Sequence, residues 1–133
     1  MNSFRLKIVT PNALVFDGMA EELIVRTTTG DLGILAGHLP CVAPLGMGRA
    51  TVIIDGKKRY AACIGGMVSV MEDHVSLLST TFEWAEEIDT ERAAASERRA
   101  REILKEKTST DTDIRLAEAR LKRALVRMSI ANE

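Results

Sequence analysis

Five arginines in the last third of the chain have the spacing of a multivalent cation. Arg120, Arg123 and Arg127 stand at i, i+3 and i+7, and Arg92 and Arg99 are seven residues apart. On helices, each set would share one side. Like charges at that spacing repel by ~0.2–0.5 kcal/mol per pair. If the two helices pair, the rows could converge, and guanidinium groups converging on one spot clamp a polyphosphate through paired, charge-assisted hydrogen bonds. Two other readings remain open: a solvated face tempered by Glu97 and Glu118, or a surface for an acidic partner protein.

Residues for catalysis are not found at useful spacing. His38 and His74 are far apart, and no His-Glu-x-x-His or Cys-x-x-Cys motif occurs, so neither a metal nor a catalytic residue is expected. Gly30, Gly33 and Gly37 are followed by no Gly-Lys-Ser/Thr, which excludes a P-loop and leaves them to turns. Gly65-Gly66 reads as a bulge or tight bend. Ser69 has no base placed near it by any motif.

The chain that carries these residues has 133 of them, enough for one compact domain with a small appendage. Aromatics make up only 4%, poor equipment for stacking on bases, and the net charge of −1 recruits no nucleic acid. The charge is uneven. Residues 1–88 hold seven basic and ten acidic side chains, whereas residues 89–133 hold eleven and nine. The two cysteines, Cys41 and Cys63, come without an apolar leader at Met1–Lys7, so they are expected to be reduced and buried rather than bridged. No run of 18 uncharged apolar residues occurs, so no insertion into a bilayer is expected.

The first two thirds of the sequence read as strands and turns. Phe4, Leu6 and Ile8 alternate with Arg5 and Lys7, the period of a half-buried strand. Further short strands are expected at Leu14–Phe16, Leu23–Arg26, Leu32–Leu35, Cys41–Ala43, Ala50–Ile54, Lys57–Ala62, Met67–Met71 and His74–Leu78. A Thr-rich turn closes at Gly30-Asp31, and Asp55-Gly56 is a strong hairpin signal. Such regular spacing favours a sandwich or barrel.

Beyond Thr80 there is neither glycine nor proline. Asp89 has the chemistry to cap a helix running to about Lys107, and a polar connection follows through Asp111. Thr110 and Asp113 have capping-box spacing for a second helix. The apolar stripe of that helix is Ile114, Ala117, Leu121, Ala124 or Leu125, and Met128. The first helix offers Ala93, Ala100, Ile103 and Leu104. So short a connection makes the helices antiparallel neighbours. Their seam is rich in alanine and buries little area, at ~0.8 kcal/mol per methylene. It fits a hairpin that opens as well as a permanent appendage. The expected fold class is α+β, with a β-sandwich of about ten short strands over residues 1–84 and a C-terminal antiparallel two-helix hairpin over residues 85–133.

Three stretches then bring a family into view: Thr10-Pro11, the run Thr29-Gly30-Asp31-Leu32-Gly33-Ile34-Leu35-Ala36-Gly37-His38-Leu39-Pro40, and Gly65-Gly66-Met67-Val68-Ser69-Val70. With Ile88-Asp89, Arg92-Ala93 and Leu121-Lys122-Arg123-Ala124 followed by Arg127, they resemble the epsilon subunits of F-type ATP synthases over nearly the whole chain. The family often has proline where Ala36 stands and phenylalanine where Met67 stands.

The resemblance implies a non-catalytic central-stalk subunit on the cytoplasmic face of a bacterial membrane. It would be peripheral, coupling ion flow to ATP synthesis. Its implied partners are the gamma subunit, the ring of c subunits and, when the hairpin extends, the catalytic alpha/beta hexamer. The turn at Gly30, Asp31 and Leu32 resembles the ring-facing loop. The extended hairpin would restrain ATP hydrolysis; about 40 helical residues laid end to end reach ~60 Å. No cofactor is required, but ATP is implied as a regulatory ligand of the compact form. The signature residues for it fall on Ile88, Asp89, Arg92 and Ala93, and the second-helix arginines on Arg123 and Arg127. Glu83 and Arg99 lie nearby in the same pattern. Asp89 keeps its simpler reading as a helix cap.

Overall fold

The computed structural model describes residues 2–131; residue 1 and residues 132–133 of the two expected ranges lie outside the described residues. The contacts divide the chain into two units, Met1–Trp84 and Ala85–Glu133.

The first unit is all β. Its strands are β1 (Phe4–Thr10), β2 (Ala13–Ala20), β3 (Glu22–Thr27), β4 (Gly30–Leu35), β5 (Cys41–Pro44), β6 (Met47–Ile54), β7 (Lys57–Val70) and β8 (His74–Trp84). They form one hydrogen-bonded path, β2-β1-β8-β7-β6-β3-β4, with β5 paired to β7. Among the described residues only the pair β1 and β8 runs parallel. Residues from six strands, among them Leu6, Ile8, Leu23, Ile34, Val52, Val68 and Leu77, are fully buried in one cluster. No helix lies among the described residues of this unit, so the sheet itself must fold over to enclose that core in two layers.

The described residues form eight strands, where about ten short ones were expected. The segments Lys57–Ala62 and Met67–Met71 are not separate strands, because β7 runs through Gly65 and Gly66 without losing register against β8. On the other side of β7, β5 and β6 keep a single register. Leu45 N–H donates to the Gly66 carbonyl at 2.9 Å, and Gly65 N–H donates to the Gly46 carbonyl at 3.0 Å, so the ladder closes across the gap. The backbone turns at Gly65 (φ 70°) and Gly66 (φ 110°), values that side chains other than glycine rarely tolerate. One strand therefore serves both layers.

Two turns matter for the expectations above. Asp55 and Gly56 both have positive φ (51° and 76°), the geometry that a two-residue hairpin needs. The Thr-rich turn consists of Thr28 and Thr29, and Gly30, Asp31 and Leu32 already belong to β4 rather than to the turn. Thr27 Oγ1 explains the early closure: it donates to the Gly30 carbonyl at 2.6 Å and accepts from Thr29 N–H at 3.2 Å.

The second unit begins with a single 3₁₀ turn, Ala85–Glu87, followed by α1 (Thr90–Lys105) and α2 (Asp111–Ala131). The first helix stops two residues short of Lys107 because Glu106 swings to an extended conformation, its N–H held by the Ile103 carbonyl at 3.2 Å. Ser109 adds a second bond, donating to that same carbonyl at 2.8 Å. No helix among the described residues is long and apolar enough to cross a membrane.

Candidate functional site

The ends of the two helices are fixed by side-chain chemistry. Asp89 caps α1, its Oδ1 accepting from Arg92 N–H at 3.0 Å. Thr110 and Asp113 form a reciprocal box at α2: Asp113 N–H donates to Thr110 Oγ1 and Thr110 N–H to Asp113 Oδ2, both at 3.1 Å.

Between these ends the helices meet through alanine. Ala93 and Ala100 on α1 and Ala117 and Ala124 on α2 are all buried. Each pair is seven residues apart, and the pairs are symmetric about the connection, so Ala93 is level with Ala124 and Ala100 with Ala117. Beside a buried leucine, each alanine forgoes ~2 kcal/mol of apolar burial. Small residues in such a seam allow two helix axes a close approach, which favours contact between the side chains that flank it.

The flanking side chains are the arginines. With 3.6 residues per turn, Arg120 and Arg127 lie about 50–70° from the Ala117–Ala124 line, and Arg123 about 110° on the same side. Arg92 and Arg99 lie about 100° from the Ala93–Ala100 line, on the side that an antiparallel partner turns toward them. A cleft of about 350 Å³ opens there, lined by Arg92, Ala95, Ser96, Arg99 and Arg120. Among the described residues none of these three guanidinium groups has a carboxylate partner. Glu97, the acid set against the row in the solvated-face reading, is held by Arg101 Nε at 3.0 Å.

Each expected site residue can now be placed. Arg92 and Arg99 line the cleft. Asp89 is the cap. Ile88 and Ala93 are buried, Ala93 within the seam. Arg123 and Arg127 are half-buried on α2 and do not line the cleft. Glu83 belongs to the sheet, on β8, paired laterally with Ala62. Arg120 belonged to the arginine row read from the sequence as a possible clamp, but not to the residues on which the nucleotide signature of the resemblance falls. Gly30, Asp31 and Leu32 sit at the start of β4, where exposed Asp31 accepts from Arg26 Nε at 2.6 Å and Leu32 packs on the core.

Elsewhere the chemistry is quiet. Both histidines line a cavity of about 220 Å³ with Arg5, Glu72 and Asp73. His74 Nδ1 lies 2.7 Å from Asp73 Oδ1, and that hydrogen bond holds the Asp73 carboxyl below its ordinary value. No group of three or more His, Cys, Asp or Glu among the described residues could hold a metal ion. Burial pushes the Cys63 thiol up, so it is a poor nucleophile.

Comparison with known proteins joins the two units to one family. The description "ATP synthase, Delta/Epsilon chain, beta-sandwich domain" fits residues 3–85, and "ATP synthase, Delta/Epsilon chain, long alpha-helix domain" fits residues 86–132. The ATP synthase epsilon chain of Bacillus subtilis is 47% identical over 133 residues, all of both chains. That of Bacillus licheniformis is 45% identical over 131 residues, 98% of this chain and 99% of its own. Among solved structures, a chain of the Euglena gracilis mitochondrial ATP synthase (OSCP/F1/c-ring) shares the fold with a TM-score of 0.84 at 23% identity, over 98% of this chain and 82% of its own. With both of its parts accounted for, the chain belongs to the ATP synthase delta/epsilon chain family.

Proposed function

We propose that this chain is a non-catalytic central-stalk subunit of a bacterial F-type ATP synthase whose C-terminal hairpin restrains ATP hydrolysis and is steadied in its compact form by ATP. The observation that carries this reading is a thin alanine seam beside a cleft lined by Arg92, Arg99 and Arg120, none of which has a carboxylate partner among the described residues. A hairpin held by so little apolar area has a small gap between packed and released states. A ligand at 100 times its dissociation constant adds ~2.7 kcal/mol to the state that binds it, enough to move such a balance.

The sandwich would supply the attachment. Pro44, Met67, Leu78, Val9 and Leu14 are lateral neighbours across five strands. Met67, Leu78 and Leu14 in that row are 46%, 52% and 58% exposed. An apolar row of this length on one face suits a gamma-type stalk partner. The start of β4, with Gly30, Asp31 and Leu32, would lie toward the ring of c subunits. The complex would hold the chain peripherally at the cytoplasmic face of the membrane, while coupling of ion flow to synthesis proceeds in its partners.

The test is a thermal melt of the intact chain with and without millimolar ATP, repeated for Arg92→Ala, Arg123→Ala and Arg127→Ala. A rise in melting temperature that the variants lose supports the regulatory role. No rise in the unaltered chain removes ATP from the account. A second reading, a hairpin that only packs against partner subunits, draws on Leu116 and Leu125 of α2, which are 54% and 41% exposed. Co-purification with a gamma-like chain combined with indifference to ATP would favour it.

A further inference from the structure

We infer that His38 and His74 form a two-imidazole site for a divalent transition-metal ion of the zinc or nickel kind, in the cavity of about 220 Å³ that both line. The lining residues all belong to the first unit, so this site is independent of the nucleotide and stalk readings above.

Two turns far apart in sequence deliver the imidazoles. Gly37, with a φ of 84°, lets the chain reverse after β4, and His38 N–H donates to the Leu35 carbonyl at 3.1 Å. His74 opens β8, and its carbonyl accepts from Met71 N–H at 2.8 Å. Each ring is then pinned through Nδ1. His38 Nδ1 lies 2.7 Å from the Leu39 carbonyl oxygen, which can only accept, so Nδ1 carries the proton. His74 Nδ1 stands in the same relation to the Asp73 carboxylate, also at 2.7 Å. In each neutral ring Nε2 keeps its lone pair. An oxygen behind Nδ1 is the arrangement that orients a metal-binding histidine and raises its basicity.

The charge of the lining favours a cation over an anion. Glu72 and Asp73 line the cavity, whereas the guanidinium of Arg5 is held by Asp17 through two bonds of 3.2 Å. Among the described residues no third His, Cys, Asp or Glu completes a protein-only cage, so water fills the other positions of the ion. Imidazole suits zinc, nickel and copper, whereas magnesium takes oxygen ligands. A bound ion would tie the turn after β4 to the turn before β8.

Calorimetric titration of the intact chain with Zn²⁺, Ni²⁺ and Mg²⁺ tests this. Zn²⁺ and Ni²⁺ should bind at a single site, and Mg²⁺ should not compete with them. His38→Gln and His74→Gln should each weaken Zn²⁺ binding by at least about tenfold, and Asp73→Ala, which removes the acceptor behind His74, by about tenfold with both imidazoles in place. Cys41→Ser, which removes the more accessible thiol, should change it less than about twofold. In the unaltered chain, Zn²⁺ should shift the ring-proton NMR signals of both histidines together, a readout that needs no variant. A shift of one histidine alone would overturn the pairing. So would Zn²⁺ binding that survives loss of either histidine, falls as far with Cys41→Ser, or is matched by Mg²⁺. No binding at millimolar metal would end the site.

Discussion

Gly66 and Leu78 lie so close across the β7–β8 ladder that a Cβ on Gly66 would overlap the Leu78 carbonyl oxygen. The obstacle is backbone, so no rotamer change can relieve it, and the φ of 110° adds its own strain for any other residue. Gly66→Ala should therefore cost more than about 3 kcal/mol, or prevent the sandwich from folding. Gly65→Ala meets only the Thr80 Oγ1 at 3.3 Å and should cost less, about 1–2 kcal/mol from its positive φ. Denaturant melts of the two variants decide this. Equal stabilities would show that the close approach does not govern the bend.

The hairpin seam predicts the opposite kind of sensitivity. Ala100 and Ala117 are each 1% exposed at one level of the hairpin, so a leucine at either position has no room. Ala100→Leu should push the helices apart and cost about 1–3 kcal/mol. The loss should appear as faster proteolysis at the polar connection around Thr108, with little change in the cooperative melt of the sheet. A more resistant hairpin would mean that the seam holds unfilled space.

How much of this was legible in the sequence depends on the range of the interactions. Asp55-Gly56 and the Thr110–Asp113 box are local, each decided within four residues, and the structure has both. The continuity of β7 was not legible. Gly65-Gly66 looks like an interruption until β8 on one side, and β5 and β6 on the other, are seen to keep register through it. Gly30 likewise looks like a turn residue until the Thr27 hydroxyl is seen to close the turn before it. The helical phase of Arg120 was plain. That its row could converge with Arg92 and Arg99 was legible too; that Arg120, and not Arg123 or Arg127, lines the cleft with them was not, because that depends on the register of one helix against the other.

The cap at α2 gives a smaller, cleaner prediction. Thr110→Ala removes the acceptor for Asp113 N–H while leaving the rest of the connection in place. The expected cost is about 1 kcal/mol, confined to the helical unit. Hydrogen exchange should quicken in the first turn of α2 and stay unchanged in β1–β8. An unchanged first turn would show that the box contributes nothing.

The two thiols should separate by reactivity. Cys63 is 2% exposed, and burial raises its thiol above the ordinary value despite the hydrogen bond with Ser79, which works the other way. Cys41, half-buried on β5, has no such enclosure. Since the thiolate is the attacking form, an alkylating reagent near pH 8 should modify Cys41 first and reach Cys63 only on unfolding. Alkylation at equal rates in the folded chain would show that the β7–β8 layer opens readily.

The last prediction concerns attachment. Met67 and Leu78 are lateral partners in the exposed row that runs from Pro44 to Leu14. A carboxylate in place of either faces water in the isolated chain, so Met67→Glu and Leu78→Glu should each change stability by less than about 1 kcal/mol. If the row is covered in the complex, the same carboxylate becomes a buried, unpaired charge, which costs several kcal/mol. Co-expression with a gamma-like chain, followed by measurement of the fraction that co-purifies, separates the two states. Normal melting with co-purification reduced at least tenfold places the row in the interface. Normal melting with undiminished co-purification puts the stalk contact on another face of the sandwich.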